Sequence, residues 1–201
     1  MYEELLETID REIEASERAL VADTIRLVNI KSVEGEPKPG APFGEGPRAV
    51  QDEAVRMGEA IGLHAKDYGC GVVSLATEDR EPDLGIWLHA DVVAEGTGWN
   101  FEPYNAVEYN GCVIGRGASD NKGQLAGIYH VFKIFQKLGI RLSYNAAMYV
   151  AANEETGMKD LIGREGDPEA KGFLNVAPPR GCLSCRTVAS LWPTVVRAAV
   201  H

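Results

Sequence analysis

Residues 85–93 read GIWLHADVV, and this stretch determines how the fold is interpreted. The apolar run from Gly85 to His89 is typical of a short buried strand, and polar chemistry follows it at once. A second apolar run, Ser143 to Ala152, leads in the same way into the acidic sequence NEETG. Ligand sites in α/β sheets lie beyond the carboxyl ends of the strands. The two runs therefore predict a polar site at one edge of a sheet.

Helical patterns surround these strands. Apolar residues at spacings of three and four predict one amphipathic helix, or two in succession, between Glu3 and about Ile30. A loop rich in Gly and Pro separates this region from a second predicted helix, from about Arg48 to Ile61. Further helices are predicted from Gln124 to Leu138 and from near Glu155. Strands that alternate with helices of this size indicate an α/β fold, a three-layer sandwich with a mostly parallel central sheet.

Two shorter strand pairs complete the predicted architecture. His64 to Tyr68 and Val72 to Ala76 are expected to pair around a Gly-Cys-Gly turn. Val107 to Ile114 carries Asn110-Gly111 at its centre, which is the strongest short signal for a hairpin.

The composition excludes several classes of function. The chain has 201 residues, a formal net charge of −10 and 45% hydrophobic residues, so a globular core is expected. The acid excess argues against binding to nucleic acid or to an anionic membrane, because phosphates would be repelled. We find no secretory signal and no apolar run long enough to span a bilayer, which predicts a cytoplasmic protein. The four cysteines are too scattered to predict a disulfide framework.

The first candidate site segment is His89-Ala90-Asp91. Residues two apart on an extended chain face the same side, so His89 and Asp91 are expected to be neighbours. Imidazole is a good zinc ligand, and a nearby carboxylate can fix its tautomer. Taken alone, the pair is a weak signal, and a surface histidine beside a loop aspartate is the favoured interpretation.

Two further segments carry carboxylates of the same kind. Asp120 follows the glycine-rich sequence GRGAS, where it could bridge two cations or simply cap a helix. Glu154 and Glu155 follow the second apolar run, where one could bind a metal and the other accept a proton from water. The alternative is that both stabilise the first turn of a helix. Helix capping does not easily explain all three segments in this order.

The motifs HADVV, GWNFEPY, GRGASDNKG and NEETG, in this order, resemble the dinuclear zinc exopeptidase family. That family includes glutamate carboxypeptidases, aminoacylases, carnosinases and succinyl-diaminopimelate desuccinylase. The long first helix, the sequence NIKSV, and Gly98-Trp99 with Pro103 are most similar to the bacterial dipeptidase V-like group. The resemblance runs from about Leu5 to Leu161.

The resemblance implies a role for each candidate residue. His89 would bind one zinc ion, and the Asp91 carboxylate would orient the His89 ring. Asp120 would bridge both zinc ions, and Glu155 would bind the second. Glu154 would be the general base, which accepts the proton of the attacking water and passes it to the leaving amine. The implied reaction is hydrolysis of an amide bond with two zinc ions per site.

The end of the chain departs from the family pattern. All 30 acidic residues precede Ala170, whereas the last 32 residues hold four basic residues and no acid. The acidic ligand expected two dozen residues after Glu155 is missing, since residues 175–182 read NVAPPRGC. Residues 1–165 are therefore interpreted as the N-terminal part of a catalytic domain, and residues 166–201 as an atypical tail. The lid or dimerisation domain of the family is expected to be absent, and a shift of reading frame between about Leu161 and Pro179 is the hypothesis that explains this departure.

The expected function follows from these observations. A dipeptidase is favoured by the GWNFEPY segment, and an N-acyl amino acid deacylase is the alternative within the family. With two ligands left for each zinc ion, a weakly active or inactive chain is expected. A non-catalytic fragment that acts through a partner chain is the alternative outside the enzyme class. Cys182 and Cys185 are interpreted as a chance occurrence, and the oligomeric state stays open.

Overall fold

The computed structural model of the chain describes residues 2–162 and 181–184. This part of the chain contains four helices and seven strands. The helices are α1 (Tyr2–Val28), α2 (Glu45–Ala60), α3 (Lys122–Leu138) and α4 (Lys159–Ile162). The strands are β1 (His64–Asp67), β2 (Val72–Ala76), β3 (Leu84–His89), β4 (Val107–Tyr109), β5 (Cys112–Ile114), β6 (Ala146–Ala151) and β7 (Gly181–Ser184).

Five of these strands form one sheet in the order β1-β2-β6-β3-β7. Strand β3 runs parallel to both β6 and β7, whereas β2 is antiparallel to β6 and to β1. Four of the five strands therefore run in one direction, and only β2 opposes them. The α/β fold with a mostly parallel sheet is confirmed, with one reversed strand near an edge.

The main hydrophobic core lies between this sheet and the three long helices. Alternate residues of the strands face the helices, and residues three or four apart on α3 pack against them. The residues at the centre of this cluster are Leu27, Val50, Met57, Leu75, Leu88, Leu125, Ile128, Phe132, Met148 and Val150. The opposite face of the sheet carries a smaller cluster of Val72, Ala76, Ala147 and Tyr149, against which Leu161 of α4 packs.

The predicted elements are confirmed with shifts at their ends. The N-terminal pattern forms one continuous helix, α1, and β1 pairs with β2 as expected. Strands β4 and β5 pair in a hairpin, and Asn110 and Gly111 at its turn both have positive φ angles, 51° and 74°. Residues in this conformation suit the twist of a two-residue hairpin, which is why Asn-Gly predicts it. The last predicted helix begins at Lys159 and not near Glu155.

Part of the interpreted tail lies outside the described residues. Residues 181–184 form β7 at the edge of the sheet beside β3, and residues 163–180 and 185–201 are not described. Because Cys185 lies outside the described residues, the interpretation of the Cys182 and Cys185 pair stays a prediction. Within residues 2–162 and 181–184, none of the helices combines the length and the apolar character that a membrane span requires.

His130 is buried between α1 and α3. Its Nε2 atom lies 2.9 Å from Oδ2 of Asp23, and its side chain has no solvent exposure. His130 therefore lies on the face of α3 that packs against α1. Burial lowers the pKa of His130, and Lys133 lowers it further, while Asp23 acts in the opposite direction. The imidazole is therefore neutral in the folded chain over a wider pH range than in the unfolded chain.

The buried histidine predicts a loss of stability in mild acid. Below the ordinary pKa of about 6.5, the unfolded chain binds a proton at His130 that the folded chain does not. We expect the free energy of unfolding of the wild type to fall, relative to that of His130→Gln, as the pH drops from about 7 towards 5. Urea denaturation at several pH values measures this difference. The exposed His64, changed to Gln, is the control, and parallel curves for wild type and His130→Gln would contradict the prediction.

Candidate functional site

The three polar segments meet at one edge of the sheet. Because β3 and β6 are parallel and pair His89 with Ala151, both strands end at the same level. Asp91 and the pair Glu154 and Glu155 follow these ends directly. Asp120 lies just before α3, which begins at Lys122 and packs on the same sheet. The topology thus brings together residues from three separate stretches of sequence.

His89 is at the centre of this group and is 1% exposed. Its Nε2 atom lies 3.1 Å from Oδ1 of Asp120 and 3.9 Å from Oε2 of Glu154. Its other ring nitrogen, Nδ1, lies 3.1 Å from the backbone oxygen of Asp91 and 3.5 Å from its carboxylate. One ring nitrogen is therefore held by Asp91, and the other faces the two remaining carboxylates.

The Asp91 carboxylate also holds the segment that carries the paired glutamates. Its Oδ1 accepts a hydrogen bond from the Glu154 amide at 3.1 Å, and its Oδ2 accepts one from the Glu155 amide at 3.0 Å. Asp91 is 1% exposed, so these bonds compensate a buried carboxylate. Asp91 thus contacts both His89 and the backbone of the two glutamates.

The remaining predicted site residues differ in exposure. The Asp120 side chain is 74% exposed and that of Glu154 is 30% exposed. Burial raises the pKa of Glu155, as do the charges of Asp120, Glu154 and Asp91, whereas His89 lowers it. Within residues 2–162 and 181–184, no three His, Cys, Asp or Glu side chains form a ready-made metal cluster. The structure thus gathers the predicted donors without a complete set of ligands among the described residues.

The concentration of acids changes the electrostatics of His89. Burial by itself lowers the pKa of His89, but the carboxylates of Asp91, Glu154 and Asp120 together raise it to about 9. An imidazole surrounded by three carboxylates is stabilised in its charged form. The site therefore favours positive charge at the position of the His89 ring.

Several residues at the site carried no recognisable signal in the sequence. The fully buried Lys122 donates from Nζ to the backbone oxygen of Ile30 at 2.6 Å, and burial lowers its pKa to about 7. The Asn121 side chain accepts the amide of His89 at 3.3 Å. The buried Asp160 binds the amides of Ala152 and Asn153. Asn121 and Asp160 thus hold backbone at or next to a predicted site residue, whereas Lys122 joins the start of α3 to the segment that follows α1.

Glu95 organises the loop that follows β3. Its backbone oxygen accepts hydrogen bonds from the indole of Trp99 at 2.6 Å and from the guanidinium of Arg116 at 3.2 Å. Its carboxylate pairs with Lys31 at 2.8 Å and with the hydroxyl of Tyr104 at 3.0 Å. The hydrogen bond from Lys31 is the main reason why the pKa of Glu95 falls to about 2. The GWNFEPY segment is therefore anchored to Glu95 near both of its ends, through Trp99 and Tyr104.

Comparison with known proteins identifies the family. Residues 86–184 match the sequence profile of Peptidase family M20/M25/M40. Over 139 residues the chain is 32% identical to "Putative dipeptidase YtjP" of Bacillus subtilis (strain 168), which covers 68% of this chain. The chain belongs to the M20/M25/M40 family. The "Putative dipeptidase" of Staphylococcus epidermidis (strain ATCC 12228 / FDA PCI 1200) is 28% identical over 161 residues, or 78% of this chain.

Two solved structures share the fold described above. Human carnosine dipeptidase 1 superposes with a TM-score of 0.66 at 23% identity and covers 76% of this chain. The di-peptidase Dug1p of Saccharomyces cerevisiae superposes with a TM-score of 0.65 at 18% identity and covers the same share. Similarities at this level of identity show the fold alone.

The chain spans about a third of the length of these proteins. The alignments cover 30% of the Bacillus relative, 34% of the Staphylococcus relative and 36% of the human carnosine dipeptidase. The match to the M20/M25/M40 profile ends at residue 184, inside the segment 166–201 that was interpreted as an atypical tail. The proposed domain boundary near residue 165 stays a prediction.

Proposed function

We propose that this chain contributes the N-terminal part of a zinc-dependent peptidase that hydrolyses dipeptides. The observation that carries the proposal is the convergence of His89, Asp120 and Glu154 at the carboxyl edge of β3 and β6. The carboxylate of Asp120 lies 3.1 Å from Nε2 of His89, and that of Glu154 lies 3.9 Å from the same atom. Membership of the M20/M25/M40 family supports a peptidase, and the dipeptidase names of the relatives support the substrate class.

The donor types at the site fit a zinc ion. Zinc binds imidazole nitrogen and carboxylate oxygen, and His89, Asp120 and Glu155 supply both. The backbone oxygen of Asp91 is close to Nδ1 of His89, which leaves Nε2 directed towards the carboxylates as the ligand atom. We assign His89, Asp120 and Glu155 as the residues that would hold metal, with Asp120 shared between two ions. When bound, zinc would polarise a carbonyl and lower the pKa of a water molecule.

Glu154 is proposed as the group that moves the proton. Its carboxylate lies at the same edge of the sheet as the His89 ring. Its backbone is fixed because the Glu154 amide donates a hydrogen bond to the Asp91 carboxylate. An ionised Glu154 can accept a proton from the attacking water at Oε2. The same atom can then deliver that proton to the nitrogen of the leaving amine, so one residue acts as base and then as acid.

The anchored loop around Trp99 favours dipeptides over N-acyl amino acids as substrates. Trp99 and Phe101 belong to the GWNFEPY segment, which favours a dipeptidase within the family. With Glu95, Thr97, Asn100, Ile114 and Arg116, they line an open depression of about 430 Å³. The N-acyl amino acid deacylase remains the second candidate, because the family resemblance includes both reactions.

Purified chain, loaded with zinc, tests this proposal. We expect bound zinc and weak but measurable hydrolysis of simple dipeptides, at a rate higher than that of the matching N-acetyl amino acids. Faster hydrolysis of the N-acetyl compounds would support the deacylase. A zinc-free chain without turnover, recovered in a stable complex with another protein, would contradict the enzyme and support a fragment that acts through a partner chain.

A further inference from the structure

Four consecutive backbone amides after β6 are each bound by a buried carboxylate. Asp160 accepts the amides of Ala152 at 2.7 Å and Asn153 at 2.8 Å, both at its Oδ2 atom. Asp91 accepts the next two amides, those of Glu154 and Glu155, at 3.1 and 3.0 Å. The segment 152–155 is therefore fixed by two carboxylates, one from a residue that precedes it in the sequence and one from a residue that follows it.

The bonds of Asp160 differ from those of an ordinary helix cap. Asp160 lies in the first turn of α4, but its side chain reaches back seven and eight residues to the end of the preceding strand. The side chain is 1% exposed. A buried carboxylate is costly unless it is hydrogen-bonded, so these two amides compensate its burial. Its position is thereby coupled to the backbone that precedes Glu154.

The loop between β6 and α4 closes around the same point. The side chain of Asn153 accepts the amide of Lys159 at 3.0 Å, and its backbone oxygen accepts the amide of Met158 at 2.7 Å. These bonds hold Asp160 next to the strand end and turn the chain sharply after Ala152. Without Asp160, the amides of residues 152 and 153 would pair with water, and the backbone at Glu154 would be held by Asp91 alone.

We infer that Asp160 is a positioning residue of the site. It acts through the amides of Ala152 and Asn153 and holds the Glu154 carboxylate facing the His89 ring. The contribution to turnover rests on the function proposed above, whereas the contribution to backbone order does not. The two can therefore be tested separately.

Amide hydrogen exchange, measured by NMR on the full chain, tests the backbone claim. In Asp160→Ala, we expect the amides of Ala152 and Asn153 to exchange at least about tenfold faster, because each loses a bond to a charged acceptor. Asp160→Asn keeps an oxygen that can accept both bonds but lacks the negative charge, so only a smaller part of the protection should be lost. If Asp160→Ala does not fold, a smaller rise in Asp160→Asn, confined to residues 152–155, supports the inference, and no rise overturns it.

Asp83→Ala is the matched control. Asp83 accepts the amide of Asn145 at 2.9 Å, so it is a carboxylate bound to backbone at the opposite end of β6. Its loss should leave exchange at residues 152–155 unchanged. Equal acceleration throughout β6 in Asp160→Ala, or the same acceleration of 152–155 in Asp83→Ala, would mean general destabilisation and would overturn the inference.

Turnover of a dipeptide gives the second readout. We expect Asp160→Ala to lower kcat at least about tenfold with KM within about threefold of wild type, and Asp160→Asn to restore most of kcat. A fall in kcat/KM that comes from a higher KM at unchanged kcat would overturn the role of Asp160 in positioning Glu154. If the wild-type chain has no turnover, the proposed function fails, and the exchange data alone decide whether Asp160 orders the segment.

Discussion

Replacing Glu154 with glutamine is expected to lower kcat for dipeptide hydrolysis by a factor of about 10²–10⁴. Glutamine has almost the same shape but cannot accept a proton from water or return it to the leaving amine. The amide of residue 154 would still bind Asp91, so the local backbone should not change. Bound zinc should stay as in the wild type, because Glu154 is not proposed as a ligand. Steady-state kinetics and zinc analysis measure the two quantities.

The neighbouring glutamate provides the contrast for this variant. Glu155→Gln is expected to lower zinc affinity, because its carboxylate is the proposed metal ligand. Glu108→Gln, at an exposed position on β4, should change neither zinc content nor kcat. A Glu154→Gln variant that keeps the wild-type kcat would exclude Glu154 as the general base. A variant that loses zinc instead would assign Glu154 as a ligand.

Replacing His89 with alanine is expected to weaken zinc binding at least about 100-fold. His89 is the nitrogen donor in the proposed set, and its Nε2 atom faces both Asp120 and Glu154. Without the imidazole, three carboxylates remain close together with no positive charge between them, so they also repel each other. Competition with a chromophoric chelator measures the affinity.

The exposed histidine on β1 is the control for the metal measurement. His64→Ala removes the same side chain from the far edge of the sheet, where it is exposed. We expect wild-type zinc affinity for this variant. Since the His89 ring is buried, circular dichroism should first establish that His89→Ala is folded. Folded His89→Ala with unchanged zinc affinity would exclude the proposed metal site.

The sequence alone predicted those parts of the fold that depend on local patterns. The apolar runs ending at His89 and Ala152 identified β3 and β6, because buried strands need continuous apolar residues. Asn110-Gly111 predicted the hairpin, because few residue pairs tolerate two positive φ angles. The order of the candidate segments, each directly after a strand or before a helix, also predicted that His89, Asp120 and Glu154 lie together.

Other features could not be read from local patterns. The sequence predicted that the last helix starts near Glu155, because the acidic sequence NEETG resembles the first turn of a helix. In the structure, α4 starts at Lys159. In the folded chain, the amides that would begin such a helix are bound by Asp91 and Asp160. The reversal of β2 relative to β6 likewise depends on pairing between distant strands, as does the burial of Lys122.

Sequence by itself thus predicted which imidazole and carboxylate side chains would meet at the edge of the sheet, because residue types and the ends of strands follow from the order of the chain. Only the tertiary structure decided what the carboxylates bind. Asp91 reaches amides more than 60 residues away, and Asp160 reaches back to a strand that precedes it. No local spacing encodes such contacts, since they exist only once β3, β6 and α4 have packed and their buried carboxylates need hydrogen-bond donors.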